Sequence, residues 1–128
     1  MTYIDASVAL AYLLAEARVP SAAFWNAQLV SSRLIEFEVW NRIHVRQPGS
    51  ARAGEVRSLL TGIRLIDMTS ATLVRAREPF PLPVRTLNAL HLATLDWLRS
   101  NGEAVELASY DNRMLAAAQA LGIALATL

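Results

Sequence analysis

The 128-residue chain has no cysteine and no lysine, and it has only five glycines and five prolines. Without cysteine, neither a disulfide framework nor a thiolate zinc site can form. Hydrophobic residues make up 54% of the chain, which excludes a disordered or collagen-like polypeptide. The longest apolar run, ASVALAYLLA, is too short to cross a bilayer. We therefore expect a folded globular protein with no membrane span.

The chain also has almost no excess of charge of either sign, since its formal net charge is +1. A field that draws nucleic acid to the whole surface is therefore absent. All 12 basic residues are arginine, whose planar guanidinium suits phosphate, although codon bias in a GC-rich genome gives the same composition. The opening residues MTYIDASV lack the basic region of a secretory signal, so a cytoplasmic location is predicted.

Five short apolar runs alternate with segments of helical periodicity. This alternation predicts one α/β domain over residues 1–128, with a central parallel sheet of about five short strands and helices on both faces. The longest helix is expected in RTLNALHLATLDWLRSNG, and another is expected in RLIEFEVWNRIHVR, ending before Pro48-Gly49. The predicted strands are TYI, LVSS, RLID, VELAS and IALATL.

Two acids lie just beyond the ends of predicted strands. Asp5 comes after TYI, and Asp111 comes two residues after VELAS. Sites in open α/β sheets form beyond the carboxyl ends of the strands, so both acids are expected at one edge of the sheet. The alternative is that each acid caps the helix that follows it.

A third acid is expected in SSRLIEFEVW, but periodicity leaves two candidates. Glu36 and Glu38 are two residues apart and point to nearly opposite faces of a helix. Each face is partly apolar, and burying a carboxylate there costs free energy unless it is paired with an opposite charge or bound to a cation. An ion pair between Glu38 and Arg42 is the structural alternative.

Asn88 and His91 lie among leucines on one stripe of the long predicted helix. Asn88 is either a fourth site residue or a core amide whose hydrogen bonds are satisfied. For His91 we expect a hydrogen-bonded histidine inside the core.

Four segments together resemble the PIN domain, and within it the VapC-type ribonuclease toxins: YIDASVALAYLL, SSRLIEFEVWNR, RTLNALHLA and ASYDNRMLAAAQALG. The resemblance implies a metal-dependent endoribonuclease with Mg²⁺ or Mn²⁺ as its cofactor. It selects Glu38 over Glu36, and it places Asn88 where the family usually has an aspartate. The implied metal and catalytic residues are Asp5, Glu38, Asn88 and Asp111, and the implied substrate or support residues are Ser7, Ser109 and Arg85.

The resemblance also implies an RNA substrate, a small VapB-like antitoxin and a homodimer. Modest independent support for a docking surface comes from the large aromatic residues Phe24, Trp25, Trp40 and Trp97, whose alternative role is core packing. Arg33 and Arg42 lie near the proposed acids, where they could hold phosphate or neutralise the site. Because Asn88 lacks a charge, reduced activity is expected, and a catalytically silent PIN-fold module that binds RNA or a partner is the second hypothesis.

Overall fold

The structure, a computed structural model, describes residues 1–46 and 51–128. Pro48-Gly49, predicted to stop a helix, lie outside the described residues, and that helix ends at Arg46. Within the described chain the elements are β1 (Thr2–Ile4), α1 (Ala6–Leu13), a 3₁₀ helix (Ala22–Asn26), β2 (Leu29–Ser32), α2 (Leu34–Arg46), α3 (Ala53–Thr61), β3 (Ile63–Ile66), α4 (Ser70–Arg77), α5 (Thr86–Ser100), β4 (Glu106–Ala108) and α6 (Asn112–Ala120).

All pairings in the sheet are parallel, and the strand order is β3-β2-β1-β4. This confirms the α/β prediction, but the sheet has four strands and not five. The predicted last strand, IALATL, makes only an isolated bridge between Leu125 and Leu107. The Leu107 N–H donates to the Ala124 carbonyl and the Ala126 N–H donates to the Leu107 carbonyl, so the segment pairs with β4 at one residue and forms no strand of its own.

The core lies on both faces of the sheet, because successive strand residues point to opposite sides. Tyr3 packs with α5 and α6, while its neighbour Ile4 packs with α1, α2 and α3. Leu107 and Ala108 divide between the same two clusters. α4 packs on α5. The described helices include none with the length and hydropathy of a membrane span.

Helix α5 contributes most to one of these faces. Its buried side includes Leu92, Leu95 and Leu98, spaced by three residues so that they share a stripe. The helix ends at Ser100 with Asn101 as its C-cap, and Gly102 follows with a φ of 83°, a conformation that glycine adopts without steric cost. The stripe fixes which side of α5 faces the sheet, and therefore where its polar residues point.

Two leucines of α5 give a matched test of this orientation. Leu95 is fully buried and Leu87 is 48% exposed, so the same change to alanine separates packing from helix propensity. Leu95→Ala is expected to lower the free energy of unfolding by about 2–5 kcal/mol, and Leu87→Ala by less than about 0.5 kcal/mol. Urea denaturation of both variants measures this, and equal losses would contradict the packing of α5.

Candidate active site

The register between β1 and β4 brings two predicted site residues together. Ile4 is paired with Ala108, so the residues that follow, Asp5 and Ser109, emerge side by side at the carboxyl edge of the sheet. The Ser109 hydroxyl donates a hydrogen bond of 2.5 Å to Asp5 Oδ2. Residues 104 positions apart in sequence therefore meet because two parallel strands are neighbours.

Two serine hydroxyls hold the Asp5 carboxylate. Ser7 Oγ lies 2.5 Å from Asp5 Oδ1 and accepts from the Tyr110 backbone N–H at 2.9 Å. Ser109 Oγ accepts from the Asp111 backbone N–H at 2.9 Å. Because each hydroxyl oxygen is engaged by an N–H donor, its own proton is left for the carboxylate. Both oxygens of Asp5 are thus fixed in position.

Burial also changes the acidity of Asp5, which is only 4% exposed. Desolvation raises the pKa of the Asp5 carboxyl above its ordinary value, although the Ser109 and Ser7 hydrogen bonds oppose the rise. A buried carboxylate of this kind is stabilised by a nearby cation.

Asp111 and Asn88 form a second pair beside the first. Asn88 Nδ2 donates to Asp111 Oδ2 at 3.1 Å, and Asp111 Oδ1 accepts from the Arg113 and Met114 backbone N–H groups. Burial raises the pKa of the Asp111 carboxyl, but the Asn88 amide and the two backbone donors outweigh burial, and the pKa lies below its ordinary value.

Both acids also cap helices, as the alternative interpretation proposed. Asp5 is the N-cap of α1, where its side chain accepts from the Ser7 backbone N–H, and Asp111 is the N-cap of α6. Capping and convergence are compatible, because each acid occupies the junction between a strand end and a helix start. A role of either acid in catalysis stays a prediction.

The two glutamates of α2 have different surroundings. Glu36 forms a surface ion pair with Arg33 at 3.0 Å. Glu38 Oε1 lies 2.5 Å from His91 Nε2, and the Glu38 side chain is 18% exposed. The partner of Glu38 is therefore His91 and not Arg42. Since His91 is one helical turn after Asn88 on α5, it brings Glu38 to the helix that carries Asn88.

The arginines near the acids differ in their availability for phosphate. Arg33 is bound to Glu36 and Asp67, whereas Arg42 and Arg85 are exposed. Arg85 precedes α5 as its N-cap without making a side-chain cap hydrogen bond. Exposed Arg113, in the first turn of α6, adds positive charge beside Asp111. Sequence analysis did not single out Arg113, although the sequence shows it two residues after Asp111.

The oxygen donors suit a hard divalent cation. Mg²⁺ and Mn²⁺ prefer carboxylate oxygen, and Mg²⁺ is commonly held by one or two carboxylates and several waters. Asp5, Asp111 and Glu38 supply such oxygens, and no described residue donates to Glu38 Oε2. Within residues 1–46 and 51–128, however, no three His, Cys, Asp or Glu side chains are grouped as a metal site. The donor set fits the cation in kind but is poorer in charge than a full acidic cluster.

Removal of the buried Asp5 charge tests its environment without metal. A raised pKa in the folded state gives stability that is present below the ordinary pKa of 3.8 and is lost as the pH rises through the folded value. In EDTA, the unfolding free energy of the parent should therefore fall relative to that of Asp5→Asn as the pH rises from acid to neutral, because only the parent has a buried carboxyl that ionises.

Urea denaturation as a function of pH measures this difference. Glu103→Gln, at an exposed acid, is the matched control and should change little. A difference in unfolding free energy between Asp5→Asn and the parent that is the same at acid and at neutral pH would contradict the proposed burial cost.

Comparisons with known proteins agree with this architecture. The PIN domain family matches residues 2–128. Ribonuclease VapC35 of Mycobacterium tuberculosis is 28% identical over 130 residues, covering 97% of this chain and 94% of the relative. Ribonuclease VapC46 of the same species is 35% identical over 95 residues, covering 74% of this chain and 70% of the relative.

A solved structure shows the same fold. The crystal structure of Mycobacterium tuberculosis VapC20, a toxin that cleaves the sarcin–ricin loop, matches with a TM-score of 0.69 at 20% identity, over 91% of this chain and 95% of that one. Together with the family match over residues 2–128, these similarities show that the chain belongs to the PIN domain family and, within it, to the VapC-type ribonuclease toxins.

Proposed function

We propose that the chain is an endoribonuclease that depends on Mg²⁺ or Mn²⁺ and acts as the toxin of a VapBC-type pair, with activity reduced by Asn88. The observation that carries this proposal is the continuous set of contacts from Asp5 through Ser109 to Asp111 and Asn88. These residues come from distant parts of the chain and meet at the carboxyl edge of the sheet, where α/β proteins form their sites.

The side chains proposed to hold the cation are Asp5, Glu38, Asn88 and Asp111. A bound divalent cation supplies charge against the phosphodiester and lowers the pKa of a water bound to it. Ser7 and Ser109 orient Asp5 through its two oxygens. The exposed guanidinium of Arg85 is placed to contact RNA phosphate near the start of α5.

Asn88 determines how strongly this site attracts a cation. Its amide N–H faces Asp111, because a carboxylate only accepts hydrogen bonds. An aspartate at position 88 would instead place a second negative charge against Asp111. The attraction that each added charge gives a cation is about 1 kcal/mol when water screens it and several kcal/mol in a partly dry site. The asparagine therefore relieves repulsion in the empty site at the expense of metal affinity.

The proposed binding partners rest on the family and on the exposed side chains of the chain. We propose an RNA substrate, a VapB-like antitoxin, a homodimer and a cytoplasmic location, with residues 1–128 acting as one PIN domain. The aromatic residues singled out in the sequence are buried or half-buried, so they support packing more than docking. Exposed apolar surface on α2 comes instead from Phe37 and Val45, which are 63% and 72% exposed. Exposed apolar side chains on the helix that carries Glu38 favour a protein partner.

The second candidate is a silent PIN-fold module that binds RNA or a partner without cleavage. It is favoured by the amide at position 88 and by the absence, within residues 1–46 and 51–128, of a grouped set of three potential metal ligands. The two candidates differ in whether a carboxylate at position 88 would restore RNA cleavage.

Asn88→Asp is the variant that separates them. We expect Mg²⁺-dependent cleavage of structured RNA to rise by about tenfold or more, because a stronger cation site lowers the barrier by at least about 1.4 kcal/mol. In EDTA the same variant should melt at a lower temperature than the parent, owing to repulsion with Asp111, and Mn²⁺ should raise its melting temperature more than that of the parent.

Two controls accompany this measurement. Asn26→Asp adds the same charge at an exposed position and should change neither cleavage nor the response to Mn²⁺. Asp5→Asn combined with Asn88→Asp should abolish cleavage, which rules out a contaminating nuclease. If Asn88→Asp cleaves no better than the parent in Mg²⁺, the silent module is the better description.

A further inference from the structure

A buried chain of hydrogen bonds links the sheet to Glu38. The Ser32 backbone N–H donates to Tyr3 Oη at 3.1 Å, and Tyr3 Oη lies 2.7 Å from His91 Nδ1. His91 Nε2 then lies 2.5 Å from Glu38 Oε1. Tyr3 is fully buried and His91 is 1% exposed, so water does not compete for these contacts.

The directions of these hydrogen bonds follow from the first donor. A backbone N–H can only donate, so Tyr3 Oη accepts from Ser32 and its own proton is free for His91 Nδ1. When Nδ1 of a neutral imidazole accepts, the proton lies on Nε2. That proton faces Glu38, giving a short hydrogen bond to a carboxylate.

We infer that Tyr3 and His91 are positioning residues: the Ser32–Tyr3–His91 chain fixes the His91 tautomer so that Nε2–H holds one Glu38 oxygen and leaves the other turned to the metal site. This inference rests on the proposed function, since it gives Glu38 a ligand role. It assigns to His91 more than the core role expected from the sequence. Glu38 is the one proposed ligand on α2, and its side chain, which is 18% exposed, has several rotamers open to it without this partner.

The first measurement concerns the tautomer alone. Nitrogen-15 NMR of the metal-free protein at about pH 8, where an ordinary imidazole is neutral, should show a proton on His91 Nε2 and none on Nδ1. Tyr3→Phe removes the hydroxyl that donates to Nδ1 and should shift the Nδ1 resonance toward that of an imidazole nitrogen that accepts no hydrogen bond. A proton on Nδ1 in the parent protein overturns the inference, whatever the metal results.

The second measurement is Mn²⁺ affinity, by electron paramagnetic resonance of free Mn²⁺, in the present sequence and in an Asn88→Asp background. His91→Leu removes the donor to Glu38 and should weaken Mn²⁺ binding by about 10- to 100-fold, the usual effect of losing a residue that orients a ligand. His91→Gln keeps an amide N–H that can reach Glu38 and should recover most of the affinity. Circular dichroism confirms that each variant is folded.

Glu38→Gln separates failure of this inference from failure of the proposed function. If Glu38→Gln weakens Mn²⁺ binding while His91→Leu, folded, binds like the parent, then His91 does not position Glu38. If Glu38→Gln leaves Mn²⁺ binding unchanged, Glu38 is not a ligand and the proposed metal site is wrong. The NMR measurement then still decides whether the hydrogen-bond chain from Ser32 to His91 exists. Equal losses in His91→Leu and His91→Gln reduce His91 to a packing role and also overturn the inference.

Discussion

The buried Asp5 carboxylate constrains much of the surrounding structure. A charge that is 4% exposed is stable only with donors to both oxygens. Those donors, Ser7 and Ser109, come from the start of α1 and the end of β4. The requirement therefore ties the first strand to the last strand of the sheet, and it brings Asp111 and the start of α6 to the same edge.

Much of this arrangement was predictable from local sequence. Alternation of apolar runs predicted parallel strands, and the position of Asp5 directly after TYI predicted the edge at which it lies. The prediction of a fifth strand was wrong because IALATL pairs with β4 at a single residue, Leu107, and periodicity within a segment does not reveal how far its pairing with a neighbour extends. The choice between Glu36 and Glu38 needed the resemblance, since their faces are similarly apolar and the partners, Arg33 and His91, lie on different elements.

His91 shows why sequence reasoning stops at single side chains. A core histidine with satisfied hydrogen bonds was expected, and the structure confirms its burial and its two partners. One of those partners is the acid Glu38, however, and that contact joins residues 53 positions apart. A packing role and a role in the site are thus compatible in one side chain. Asn88, one helical turn earlier on α5, likewise combines an inward position with a polar contact to Asp111.

The pairing of β1 with β4 also sets the order in which the site can assemble during synthesis. Thr2–Ile4 leave the ribosome long before their partner strand, Glu106–Ala108, and before Ser109, which supplies one of the two hydroxyls that hold Asp5. A nascent chain that stops before Glu106 has neither the edge strand nor Asp111. Termination before this strand therefore yields a polypeptide without the assembled edge, so any function of this edge requires translation through Asp111.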